Sequence, residues 1–310
     1  MISVENLTKR YAGFTAVDNI TFDCAPGRVT GFLGPNGAGK STALRMISGL
    51  TPPTSGTATL GGVPFKSIPN PGTQVGVLLD ASAQHAGRTG REILKIGAAT
   101  MGLPSRRVDE MLDLVGLTKK ESKRRVRNYS LGMRQRLGIA HAMLGDPRIM
   151  LLDEPANGLD PAGIRWMRDL MRYYAESGGT VLLSSHLLHE IEVIADDIIV
   201  IGNGKIMRQM RKDELLKSAG TLVRAINPAA FTETMKQAGI AVDQAPDGSW
   251  LTKSSPEDVG RAAAGGQIVL TELRPAPAPT LEDLFLDLTS GEQRDGDVAQ
   301  RAQLGEGGAA

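Results

Sequence analysis

The stretch Gly34-Pro35-Asn36-Gly37-Ala38-Gly39-Lys40-Ser41-Thr42 matches the pattern G-x-x-x-x-G-K-[ST] in full. It follows an apolar run, Val29–Leu33, and leads into a helical pattern from Ser41 to Ser48. Strand, glycine-rich turn and helix in that order are the setting of a phosphate-cradling loop. Glycines at 34, 37 and 39 let the backbone curl until successive N–H groups point at phosphate oxygens. The amino end of the next helix adds its dipole. Lys40 reaches the β- and γ-phosphates, the Ser41 hydroxyl can ligate Mg²⁺, and Thr42 adds a donor. A ligand-free glycine turn is the plainer alternative, and the flanking strand and helix speak against it.

A second apolar strand, Ile149–Leu152, ends in Asp153-Glu154-Pro155. In a doubly wound sheet the carboxyl ends of the strands face the ligand. Asp153 suits Mg²⁺, directly or through water, and Glu154 can polarise an attacking water. An isolated acid pair after a strand is more often a solvated turn; a phosphate loop in the same chain turns the balance toward chemistry.

Around these motifs, short β-rich runs alternate with longer helical patterns, the rhythm of an α/β domain with a largely parallel sheet. Strands are expected at Val29–Leu33, Gln74–Leu79, Ile149–Leu152, Thr180–Ser184 and Ile198–Ile201, and helices at Ser41–Ser48, Val108–Leu114, Met133–Leu144 and Arg165–Glu176. Past about Leu216 the texture changes. Thr221–Asn227, Ala229–Ala238, Ile240–Ala245, Ser249–Thr252, Pro256–Ala264 and Ile268–Arg274 read as β-α-β-β-α-β, with a turn at Asp247–Gly248. Arg274–Thr280 is a proline-stiffened linker, and Thr280–Thr289 has the face of a short capped helix. The division expected is 1–215, 216–275, a linker and short helix over 276–290, and a disordered tail over 291–310.

Composition narrows the class. The chain has 310 residues, length for about two domains, and 41% of them are hydrophobic, enough for a core. Lys plus Arg total 35 against 34 Asp plus Glu, a net charge of +1. That balance argues against nucleic-acid binding by bulk charge. A lone cysteine, Cys24, cannot form an internal disulfide and suits a reducing compartment. Neither a secretory signal pattern nor an apolar run of membrane-spanning length is present, so the expectation is a soluble intracellular chain. Lys119–Arg127 packs six cations into nine residues and is expected to be a solvated loop. Phe14, Trp166, Trp250 and the methionine-rich helices are expected to pack in cores, and His85, His141 and His189 to be surface or packed residues.

Tyr129-Ser130-Leu131-Gly132-Met133-Arg134-Gln135-Arg136 resembles the signature of the ATP-binding cassette (ABC) ATPases, usually LSGGQ-x-Q-R. Ser130, Gly132, Gln135 and Arg136 match; Leu131 stands in for the first glycine and Met133 for the glutamine. This variant is similar to that of nucleotide-binding subunits of bacterial ABC-2-type exporters, drug- and antibiotic-efflux systems among them. Physically, a Ser-x-Gly turn capping a helix from Met133 offers a hydroxyl and bare N–H groups to an anion, though an ordinary helix cap looks the same in isolation.

The resemblance covers roughly residues 1–215. It implies a P-loop NTPase of ABC type, a mixed-sheet α/β core with a helical subdomain, followed here by a small C-terminal α+β domain. ATP and Mg²⁺ are the implied cofactors. Tyr11 corresponds to the aromatic that stacks on adenine, Gly158-Leu159-Asp160 to the loop that crosses to a partner, and His186 to the histidine that contacts the γ-phosphate. After Val75–Leu79 the family usually has a glutamine that senses the metal; this chain has Asp80, with Gln84 four residues on. Asp80 could reach the metal through water but cannot donate as an amide does.

Two cassettes would close head to tail. Each ATP would lie between Tyr11, Lys40, Asp153, Glu154 and His186 of one and Ser130 and Gly132 of the other. One chain carries both halves, so a homodimer is the economical assembly. The function this implies is the ATPase of an exporter of small hydrophobic, antibiotic-like compounds, peripheral to the cytoplasmic face of the membrane and working through a separate ABC-2-type permease. The alternative is a soluble ABC ATPase acting on ribosomes or DNA; such proteins usually carry two cassettes or a long coiled-coil insertion, and neither is in this sequence. A guanine-reading Asn-Lys-x-Asp motif is also missing, which sets a small GTPase aside.

Overall fold

A computed structural model of the chain describes residues 1–215, 220–245 and 247–276. The described residues form two compact units, Met1–Arg211 and a second that begins at Lys212. In chain order the first begins with β1 (Ile2–Tyr11), β2 (Phe14–Cys24), β3 (Arg28–Leu33), α1 (Lys40–Ile47), β4 (Ser55–Leu60) and β5 (Val75–Leu78). Four helices follow: α2 (Gly90–Met101), α3 (Arg106–Leu114), α4 (Lys119–Ser122) and α5 (Leu131–Ala142). The unit ends with β6 (Ile149–Asp153), α6 (Pro161–Glu176), β7 (Thr180–Ser185), α7 (Leu188–Ile194), β8 (Asp197–Gly202) and β9 (Lys205–Arg211).

Two sheets result. One is antiparallel with order β2-β1-β4; the other has order β5-β6-β7-β3-β8-β9. In the larger sheet the first five strands are mutually parallel and β9 returns antiparallel to β8. Its central strands are apolar runs buried along almost their whole length, as strands covered on both faces must be. Phe22 of β2 packs on Phe32 of β3 with ring centroids 5.5 Å apart, which ties one sheet to the other. Leu44 and Ile47 of α1 enter the same core with Leu151, Leu182 and Ile199. Across α2–α5 the helical part is anchored by α5, whose Gly138 lies so close to Leu78 of β5 that a Cβ there would sit 2.6 Å from its Cδ1.

The second unit is α8 (Lys212–Leu215), β10 (Thr221–Ala225), α9 (Pro228–Gln237), β11 (Asp243–Gln244), β12 (Trp250–Thr252), α10 (Pro256–Gly265) and β13 (Leu270–Pro275). The strand order is β11-β12-β10-β13 with every neighbouring pair antiparallel, the split β-α-β arrangement. Both longer helices cover one face: Phe231 and Met235 of α9 and Val259 and Ala263 of α10 meet Val223 and Trp250 of the sheet. The rings of Phe231 and Trp250 meet at a tilt of 48° with centroids 4.8 Å apart.

Several local expectations need correction. The signature helix starts at Leu131, not Met133, because Ser130 is itself the N-cap and accepts from the Met133 N–H. Helix α6 starts at Pro161, four residues ahead of the periodic pattern, because Asp160 caps it and proline is pre-shaped for the first turn. Lys119–Arg127 is not simply a loop. A capping box of Thr118 and Glu121 folds its start into α4, and Ser122 and Val126 are buried anchors, while the six cations stay exposed. Phe14 is no core residue: it is 61% exposed at the tip of the β1–β2 hairpin. Trp166 is half-buried and lies under the Arg136 guanidinium, 4.5 Å from the ring centre. Trp250 is core, His85 and His189 are exposed, and His141 packs against Gly97. The helix expected at Thr280–Thr289 and the tail over 291–310 lie outside the described residues. No helix among the described residues is long and apolar enough to cross a membrane.

Phe32 is fully buried where the two sheets meet. Phe32→Ala is expected to cost about 3–5 kcal/mol, read as a lower denaturation midpoint of the first unit.

Candidate active site

The loop over residues 34–39 leaves the carboxyl end of β3 and turns into α1. Its curl needs glycine at two points for different reasons. At Gly39 φ is +105°, and a Cβ would lie 2.5 Å from the Ala16 carbonyl oxygen; at Gly34 a Cβ would lie 2.4 Å from the Ile201 carbonyl oxygen. With Gly39 as N-cap, α1 has no side-chain cap, so its first N–H groups keep their capacity for an anion. Pro35, Asn36, Gly37 and Ser41 are exposed, Thr42 is half-buried, and Ala38 is buried with its carbonyl accepting from the Gly204 N–H.

Lys40 is only 5% exposed. Its Nζ donates to the carbonyls of Gly34 at 2.7 Å and Pro35 at 3.1 Å and lies 3.7 Å from Glu154 Oε1. Burial lowers its pKa, and the neighbouring Glu154 and Asp153 charges oppose that shift.

Parallel pairing brings the other groups to this edge. Leu33 of β3 is level with Ser185 of β7, and Asp153 of β6 with Ser184. Ser184 Oγ donates to the Asp153 carboxylate and accepts from the Glu154 N–H at 3.0 Å. Glu154 itself has a left-handed backbone, φ +49°. Its carboxylate Oε2 is 2.8 Å from His186 Nδ1, and its carbonyl accepts from Gln135 Nε2 at 2.7 Å. Lys40, Asp153, Glu154 and His186, far apart in the chain, are therefore one cluster.

The remaining expected residues sit around it. Tyr11 ends β1, half exposed, with Lys9 Nζ 5.1 Å from its ring centre. It pairs with Phe14 across the hairpin tip, two residues from Ala16, whose carbonyl abuts Gly39. Ser130 and Gly132 are at the exposed amino end of α5, against Gly158: a Cβ on Gly132 would be 2.9 Å from the Gly158 carbonyl oxygen. They are tied to the cluster through Gln135 of the same helix and through the turn that carries Gly158, whose Asn157 N–H donates to the Glu154 carbonyl at 3.2 Å. Asp80 is turned to its own loop, accepting from Ser82 N–H at 2.7 Å and Ser82 Oγ at 2.6 Å, bonds that hold its pKa low. Among the described residues no three His, Cys, Asp or Glu side chains form a metal cage. Ser184 and the inward turn of Gln135 are features that sequence inspection missed. The only sequence signal for Ser184 is a serine two places before His186 at a strand end.

Phosphate loop, strand-end acid pair and strand-end histidine on neighbouring parallel strands define a nucleotide-binding α/β ATPase domain. Residues 17–157 match the ABC transporter family. The chain is 34% identical over 300 residues to the ABC transporter ATP-binding protein YhcH of Bacillus subtilis, covering 95% of this chain and 97% of that one. It is 41% identical over 220 residues to the bacitracin transport ATP-binding protein BcrA of Bacillus licheniformis, covering 70% and 72%. Among solved structures it is similar to the ATP-binding subunit of an ABC transporter at TM-score 0.64 and 27% identity, covering 69% of this chain and 91% of that one. The chain belongs to the ATP-binding proteins of ABC transporters and is an ATPase of that family.

Because Lys40 is charged at a site that lowers its pKa, it weakens the folded state most at lower pH. The cost falls as pH rises from the lowered value toward the ordinary lysine value of 10.5, where the unfolded lysine also loses its proton. Stability of the wild type relative to Lys40→Met is therefore expected to improve as pH rises toward the ordinary lysine value of 10.5 and to level off above it, read as the difference in Tm.

Proposed function

We propose that this chain is the ATP-hydrolysing subunit of an exporter, driving a small hydrophobic, antibiotic-like compound through a separate ABC-2-type permease at the cytoplasmic face of the membrane. The observation that carries the chemical part is the Glu154 carboxylate, held 2.8 Å from His186 and 3.7 Å from the Lys40 ammonium at the mouth of the phosphate loop. The transport part is supported by relatives named for bacitracin transport, at 41% and 42% identity, and for lantibiotic transport, at 34%.

In this reading the γ-phosphate replaces the Gly34 and Pro35 carbonyls as the partner of Lys40, releasing Glu154 to accept a proton from water. His186 orients that carboxylate and meets the γ-phosphate. Tyr11 stacks on the adenine. Ser41 and Asp153 are hard oxygen donors of the kind that hold Mg²⁺ together with substrate phosphates, and Asp80 would reach it only through water. Mg²⁺, when bound, supplies neutralisation of phosphate charge. Ser130 and Gly132 of a second copy cap the γ-phosphate, so ATP is the joint of a homodimer and hydrolysis loosens it. Residues 216–275 serve as a regulatory or dimer-stabilising module.

Glu154→Gln is expected to slow hydrolysis by about 10²-fold or more while ATP converts the protein to a stable dimer in size-exclusion chromatography. Unchanged turnover with an unchanged monomer would count against the proposal. Removing the chain beyond residue 211 is expected to leave ATP affinity within about twofold, measured by calorimetry. Purification from membranes with a multi-span partner tests the exporter assignment, and sedimentation with ribosomes would reverse it.

A further inference from the structure

Gln135 is 3% exposed, one full turn inside the helix that carries Ser130 and Gly132. A buried amide at that depth must be held by something. Its Nε2 donates to the Glu154 carbonyl at 2.7 Å, while its Oε1 is buried with no hydrogen-bond partner. The bond therefore leaves half of the amide unsatisfied, a cost the fold would avoid by using an apolar side chain at this position. Its one partner is a peptide with unusual geometry. Glu154 has φ +49°, a conformation that an L-glutamate adopts only when its surroundings hold it. The Ser184 hydroxyl holds the N–H side of that residue; on the C=O side the carbonyl accepts from Gln135 Nε2 and, at 3.2 Å, from the Asn157 N–H of its own turn, so that Gln135 is the partner tying the peptide to α5.

We infer that Gln135 is a positioning residue for hydrolysis: by fixing the Glu154 carbonyl it keeps the carboxylate aimed at the attacking water, and it makes the aim depend on where α5 sits. The inference rests on the reading of Glu154 as general base. Because α5 also presents Ser130 and Gly132, movement of that helix when it engages a nucleotide on a second copy reaches Glu154 of its own chain through one side chain. Binding and cleavage are thereby separable. Gln135 lies behind the Glu154 peptide and makes no bond to the phosphate loop, so its loss should act on the chemical step.

The test uses the full chain with Gln135→Leu and Gln135→Glu, the second keeping the shape but replacing the donor with an acceptor. Both are expected to lower kcat by about 10- to 100-fold with KM and equilibrium ATP affinity within about twofold, since a small misplacement of a base is enough for such a loss. In single-turnover assays on the Glu154→Gln background, either change is expected to cost less than about twofold further, because the group it positions is already gone. Equal losses in both backgrounds, or kcat of Gln135→Glu within about twofold of wild type, would overturn the inference. If Gln135→Leu does not fold, Gln135→Glu decides alone, with its Tm reported beside its kcat. Should Glu154→Gln itself hydrolyse ATP normally, the general-base reading fails instead, and the two failures are told apart.

Discussion

An ammonium group withdrawn from water organises the edge of the larger sheet where the strand ends meet. Lys40 is buried between two loop carbonyls and a glutamate, and a charge at such depth is tolerable only if its hydrogen bonds are made. The curl of residues 34–39 aims the Gly34 and Pro35 carbonyls at it, and that curl depends on Gly39, where any side chain would strike the Ala16 carbonyl. Thus β2, the phosphate loop and α1 are locked by one packing contact and one charge. Under the proposed function, a triphosphate would satisfy the same ammonium better than the carbonyls can, because it adds full opposite charge to the hydrogen bond.

Glu154 is the complementary element. Its left-handed backbone stores strain of about 1–3 kcal/mol, sustained by the Asn157 N–H of its own turn and by side chains from more distant segments. Ser184 comes from β7, Gln135 from α5 and His186 from the turn after β7. Under the proposed function, strain concentrated on this residue is what pre-organisation requires: the carboxylate would not need to search for its orientation when substrate arrives. Ser184 also links Asp153 to that peptide, so the acid that suits a metal and the acid that suits a proton are braced by one hydroxyl.

The second unit follows a different economy. Among the described residues its core cluster is six buried side chains with one aromatic pair, and on the sheet Arg224 and Arg274 both pair with Glu272. Such exposed ion pairs contribute little to stability. Apolar packing of two helices on a four-stranded sheet carries this unit. Its topology was legible from alternating strand and helix patterns, because each element there is short and amphipathic. Helix starts in the first unit were less legible: α5 and α6 begin at the polar caps Ser130 and Asp160, ahead of their first periodic apolar residue. Phe14 misled for another reason, since an aromatic in a β-rich run looks like core until the hairpin turn beside it is known.

By itself the sequence determined the phosphate loop, the strand-end acids and the signature helix. Each is a local pattern in which backbone freedom, charge and spacing act within a few residues. Only the tertiary structure decided that β6, β7 and β3 lie side by side in a register that sets Lys40, Glu154 and His186 within reach of one another. It also turned Asp80 back onto Ser82 and Gln135 inward onto Glu154. The physical reason is that strand order and side-chain direction are fixed by burial between distant segments, and those contacts have no short-range signature in the chain.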